Sequence, residues 1–178
     1  MTDANYWKER YKDMWGAASR RERAVAERIH QETGRVVVPV GLGTGTSAYL
    51  SGSARSHGRE KGGADLRVEG TPVYLEVTGP HSPRVPLAAP LWLRPDKVRN
   101  ARDHCADHET WIVHWLEQAH TLRVIRLDAD FFACCDAGEF RIVTPQIRGT
   151  PETYLEVPAN HTCVRAWQAL IDRLRQEV

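Results

Sequence analysis

The chain reads as a single α/β domain, a mixed central β-sheet flanked by helices, and three observations predict this. Residues 64–69 and 73–78 alternate strictly, Ala64, Leu66 and Val68 against Asp65, Arg67 and Glu69, then Val73, Leu75 and Val77 against Tyr74, Glu76 and Thr78. Period-two alternation on both sides of a glycine-containing turn is the signature of a β-hairpin. Helical spacing appears ahead of this hairpin in Val25 and Ile29, and again near the end of the chain in Val164, Trp167, Leu170, Ile171 and Leu174. A length of 178 residues, 42% of them apolar and 26% charged, suits one domain (residues 1–178) with a sizeable core.

The first element is an amphipathic helix over residues 5–15, with Trp7, Tyr11, Met14 and Trp15 forming an aromatic face that packs on the domain. Gly16 interrupts it. Ser19 and Glu22 then match a capping box, so a second helix starts at residue 19. It runs to about Thr33, and Gly34 supplies the stop. Glu22 lies on the same side as Val25 and Ile29. Residues 35–40 are β-branched and predict a strand, placed at an edge or ending by Pro39. The glycine-rich residues 41–47 have neither the GK[ST] ending of a P-loop nor the spacing of a dinucleotide turn, so they predict a plain loop. Arg55, His57, Arg59 and Lys61 make the following loop basic, suited to a phosphate backbone or simply to water.

The hairpin carries the chemistry. With Gly70 and Thr71 as turn residues, Val68 faces Val73, Leu66 faces Leu75, and Asp65 faces Glu76. Directly opposed like charges destabilise a sheet. A divalent cation held by both carboxylates offsets that repulsion; screening by Arg67 and solvent is the plainer alternative.

Residues 79–90 are too proline-rich for regular structure. Residues 91–104 start a helix, with Pro95 near its first position and Val98, Ala101 and Cys105 as its apolar stripe. Lys97 and Arg94 on this helix are within reach of the hairpin. His104 and His108 have an i, i+4 spacing compatible with a metal, but no glutamate accompanies them, so they read as a solvated helix end. Residues 110–115 and 122–127 predict strands with a turn at 118–120, residues 128–135 a short helix, residues 141–144 and 154–157 a small hairpin, and residues 161–178 a terminal helix.

A net charge of +1 excludes a global basic field, so nucleic-acid affinity must come from a local patch. Twenty arginines against four lysines favour bidentate phosphate contacts, although a biased genome produces the same ratio. Cys105, Cys134, Cys135 and Cys163 form no disulfide framework and no CxxC pair, which predicts reduced thiols. Neither a leader nor a membrane span is discernible, so a cytoplasmic location and no membrane partner are expected. A homodimer is compatible with the sequence.

Gly63-Ala64-Asp65 followed by Tyr74-Leu75-Glu76-Val77-Thr78 resembles the PD-(D/E)XK, or restriction-endonuclease-like, nuclease superfamily. There an Asp on one strand and a Glu-x-Lys on the next build a metal site; here Thr78 stands where the lysine is expected. The resemblance covers residues 19–127, with the C-terminal part as an extension. It implies a Mg²⁺- or Mn²⁺-dependent DNA nuclease. Asp65, Glu76 and the backbone carbonyl of Val77 are then the metal ligands. Glu22, or Glu27 as a fallback, completes the shell or holds a water. Lys97, or Lys61 from the loop, replaces the missing lysine. The rival expectation is a non-catalytic accessory protein that kept the fold and lost the lysine. A third is a nucleotide-binding enzyme using residues 41–47.

Overall fold

A computed structural model describes residues 4–41, 62–80, 82, 84–147 and 149–176, with side chains from residue 16 onward. Arg55, His57, Arg59, Lys61 and residues 42–47 lie outside the described residues, and so do the side chains of Trp7, Tyr11, Met14 and Trp15. The described residues form an α/β fold with a mixed central sheet.

Helix α1 is Ala4–Thr33, one continuous 30-residue helix rather than two. Gly16 does not break it, because a glycine inside a helix costs only about 1 kcal/mol relative to alanine. Ser19 is therefore interior, not a cap. Val25 and Ile29 are fully buried on the sheet. Gly34, at φ +72, ends the helix, and its N–H donates to the His30 carbonyl at 2.8 Å.

Strands β1 (Val37–Pro39), β2 (Leu66–Val68), β3 (Val73–Thr78), β5 (Glu109–Leu116), β6 (Thr121–Arg126) and β11 (Arg165–Ala166) form the central sheet in the order β1-β2-β3-β5-β6-β11. Pro39 sits on the edge strand, where its missing N–H is tolerated. Only β3 and β5 run parallel, which makes the sheet mixed. The connection between these two strands contains β4 (Leu91–Leu93) and helix α2 (Pro95–Asp103).

The hairpin register pairs Leu66 with Leu75 and Arg67 with Tyr74, the alignment the alternation predicts. The turn is longer than two residues. Only Gly70 has positive φ, +71, whereas a type I′ turn needs it at both central positions. Thr71 closes the loop instead: Oγ1 donates to the Val68 carbonyl at 2.9 Å and accepts the Val73 N–H at 3.1 Å.

Two apolar layers sandwich the sheet. Leu66, Leu75, Val77, Trp111, Val113 and Val124 pack with α1 and helix α4 (Gln168–Arg175). On the other face, Ile112 and Ile125 pack with Val98 and Ala101 of α2 and with Phe131 and Phe132 of helix α3 (Ala129–Asp136). Cys105 is exposed and does not continue the α2 stripe.

The predicted small hairpin is present as β7 (Arg141–Val143) against β10 (Tyr154–Val157), but β4 pairs on the other side of β10. Leu91 and Leu93 are therefore strand, not the start of a helix, and α2 begins only at Pro95. Strands β8 (Gln146–Ile147) and β9 (Thr150–Pro151) form a separate short pair. The terminal helix is shorter than expected: residues 165–166 extend the central sheet through β6, and α4 starts at Gln168.

Candidate functional site

Asp65 stands one residue before β2 and is fixed through its backbone. Its N–H donates to the Leu75 carbonyl at 2.9 Å, and its own carbonyl accepts from the N–H groups of Val40 and Gly41 at 2.9 and 3.0 Å. Its carboxylate folds back across the hairpin, with Oδ2 accepting the Val77 N–H at 2.9 Å. Glu76 follows from strand alternation: Leu75 and Val77 enter the core, so Glu76 between them points to the opposite face.

Lys97 meets both. Pro95 opens α2 with a preset φ, and Lys97 lies in the first turn with its N–H accepted by Asp96 Oδ1 at 3.1 Å. Its ammonium lies 2.6 Å from Glu76 Oε2, 3.5 Å from Asp65 Oδ1 and 2.7 Å from the Gly63 carbonyl. The side chains of Lys97, Asp65 and Glu76 are 15%, 17% and 13% exposed, so the cluster is recessed yet open to a ligand.

Glu22 reaches the cluster from α1. It is buried beside Val25 and Ile29, and Asp65 and Lys97 both act on its charge. Burial first, then the Asp65 carboxylate, pushes its pKa up to about 7. Burial and Asp65 likewise push Glu76 upward, against the pull of Lys97. Burial alone would lower Lys97; Glu76 and Asp65 outweigh it and hold the ammonium charged.

The structure thus brings Glu22, Asp65, Glu76 and Lys97 together. Val77 enters through its N–H to Asp65, while its side chain belongs to the core. The fallback Glu27 is exposed. Arg94 is tied to Asp96, Nε to Oδ1 at 3.0 Å, close enough for Glu76 and Tyr154 to act on its charge. His104 and His108 stack on each other at 5.5 Å, and His108 lies against Tyr74 at 4.1 Å. Among the described residues no third metal-ligating group joins these two histidines.

Three carboxylates face one ammonium, which leaves two negative charges in excess when all are ionised. The donors are all carboxylate oxygen, the set that suits Mg²⁺ or Mn²⁺ and not a soft metal. The raised pKa values of Glu22 and Glu76 come first from burial and then from the Asp65 charge. By donor chemistry the carboxylates suit a hard divalent cation, but their oxygens are not gathered within 4.8 Å of one another as the ligand atoms of Cys134, Glu139 and His161 are.

Sequence reasoning missed two parts of this arrangement. One is the Gly63 carbonyl that holds Lys97; its only signal was the Gly62-Gly63 pair ahead of Asp65. The other is Asp96, which restrains Arg94 and caps the Lys97 N–H. No protein-family model matches the chain, and no curated protein matches it.

Proposed function

We propose that the chain is a metal-dependent DNA nuclease of the restriction-endonuclease-like kind, acting through Glu22, Asp65, Glu76 and Lys97. The observation that carries this reading is the Lys97 ammonium, 2.6 Å from Glu76 and 3.5 Å from Asp65, arriving from a different element than Thr78. A lysine is thus beside the carboxylates although the hairpin does not encode one.

Asp65, Glu76 and the Val77 carbonyl would hold Mg²⁺ or Mn²⁺, which supplies an acidified water and neutralises charge on the scissile phosphate. Hydrolysis forms a bond from the water oxygen to phosphorus and breaks the bond to the leaving sugar oxygen, which takes up a proton from solvent. Glu22 holds the attacking water and accepts its proton on the carboxylate; a pKa near 7 suits both states at neutral pH. Lys97 stabilises the negative charge that builds on the phosphoryl oxygens. Arg94 and the partly exposed Trp92, which stacks on Tyr154 at 5.7 Å, offer a phosphate contact and an aromatic surface on the strand leading into α2.

The test is incubation of the full chain with single-stranded, duplex and branched DNA in Mg²⁺ and in Mn²⁺. Cleavage of at least one substrate is expected, and Asp65→Ala should abolish it while the far-ultraviolet circular dichroism stays native. Failure to cut any of these DNAs would favour the non-catalytic accessory reading, for which Thr78 is the supporting residue.

A further inference from the structure

A second cluster, made of other residues than the carboxylates, lies at the end of helix α3 beside the phenylalanine-lined layer. Helix α3 ends at Asp136, and Gly138 turns the chain back at φ +72. The Glu139 N–H then closes onto the Cys134 carbonyl at 3.1 Å, which sets Glu139 beside the last turn of the helix. His161 comes from the turn after β10, whose N–H donates to the Pro158 carbonyl at 3.0 Å. Cys134 Sγ, a Glu139 carboxylate oxygen and a His161 ring nitrogen all lie within 4.8 Å of one another.

Both nitrogens of the histidine ring have partners. Nε2 is 3.1 Å from Glu139 Oε2, and Nδ1 is 3.0 Å from Cys163 Sγ. Phe140 packs edge-on against the ring at 4.9 Å. Metal-ligating histidines characteristically have their second nitrogen engaged in this way.

We propose that Cys134, Glu139 and His161 form a second metal site, for zinc or a similar transition metal, clamping the end of α3 to the segment that leads into β11. One sulfur, one nitrogen and one oxygen donor suit Zn²⁺ or Co²⁺; Mg²⁺ does not take a thiolate. Bonds of about 2.0–2.3 Å around a tetrahedral ion put ligand atoms roughly 3–4 Å apart. Side-chain adjustments on the order of an ångström therefore close the site. The fourth position is left to water. The clamp joins α3 to the segment that pairs with β6, so its metal steadies the sheet edge opposite β1. It shares no residue with the carboxylate cluster and does not depend on nuclease activity.

The experiment is titration of the full chain with Co²⁺ as a spectroscopic probe. Wild type should develop thiolate-to-cobalt charge-transfer absorption saturating at one ion per chain, displaced by Zn²⁺ and not by excess Mg²⁺. Cys134→Ser should lose that absorption, His161→Ala should weaken binding by about 10-fold or more, and Cys105→Ser and Glu76→Gln should keep it. An independent readout needs no variant: Zn²⁺ should slow alkylation of Cys134 and leave the exposed Cys105 unaffected in the same molecule. Absence of charge-transfer absorption in wild type, its persistence in Cys134→Ser, or equal alkylation of Cys134 with and without Zn²⁺ would overturn the proposal.

Discussion

Lys97 is where the chemistry concentrates. One ammonium serves Glu76, Asp65 and the Gly63 carbonyl, so removing it leaves two carboxylates facing each other without a cation. Lys97→Ala should slow DNA cleavage by roughly 10²–10³-fold, the usual loss for one preorganised electrostatic group. Divalent-metal affinity should not weaken, because the competing ammonium is gone; calorimetric titration with Mn²⁺ reads this directly. Unchanged cleavage would mean that Lys97 only neutralises the carboxylates. Gly62 tests the positioning of the same ammonium. It sits at φ +88, and a Cβ there would lie 2.8 Å from the Asp96 carbonyl oxygen. Gly62→Ala should cost about 1–3 kcal/mol of unfolding free energy. It should also displace the Gly63 carbonyl and slow cleavage. In a Lys97→Ala background the effect on cleavage should vanish, since only contacting groups show coupling.

At the level of elements, the hairpin places the site by burying its other side. Leu66 and Leu75 are cross-strand partners within the core under α1 and α4. Leu75→Ala should lower stability by about 2–5 kcal/mol in urea unfolding, the range for a fully buried leucine. Tyr74→Ala on the other face should cost less. This hairpin was the most legible part of the sequence, because a one-residue slip in register would turn Leu75 outward and Glu76 into the core. The expected Asp65–Glu76 pair is not part of the strand register: Asp65 precedes β2, and its N–H donates to the Leu75 carbonyl; the two carboxylates meet through Lys97. Elements whose identity depends on distant partners were not legible. Residues 91–93 are too few to show a period, and they become a strand only because β10 lies beside them. Residues 165–166 join the sheet through β6 instead of extending the helix that follows. The Gly16 break failed for a related reason: local preference is a small term against the continuation of a long helix. The convergence of Lys97 was legible as the first of two candidate lysines, with Lys61 the other, and the carbonyl that seats it was not.

Taken as a whole, the molecule distributes its buried charge unevenly, and pH exposes this. His114 on β5 is buried, 3.3 Å from Arg123, and burial first, then the charges of Arg123 and Arg21, push its pKa down to about 3. The folded state keeps this histidine neutral where the unfolded chain, titrating near 6.5, takes up a proton. Its contribution is therefore complete above about pH 6.5 and is lost as pH falls toward 3. Glu22 works in the opposite sense, since its raised pKa favours the folded state as it protonates. Comparing wild type with His114→Gln removes that background. Between about pH 6 and pH 4 the wild type should lose up to about 1.4 kcal/mol per pH unit relative to the variant. Parallel stability curves would show that His114 protonates without cost. Among the described residues no helix is long and apolar enough to cross a membrane. The claim on which the functional reading rests is that Asp65 and Glu76 hold one hard cation, with Glu22 beside it. Mn²⁺ binding to the full chain, followed by electron paramagnetic resonance, tests it most directly. The expected result is tight binding that Asp65→Asn or Glu76→Gln removes and Cys134→Ser leaves intact. Mn²⁺ binding that is unaltered by both carboxylate substitutions would contradict it.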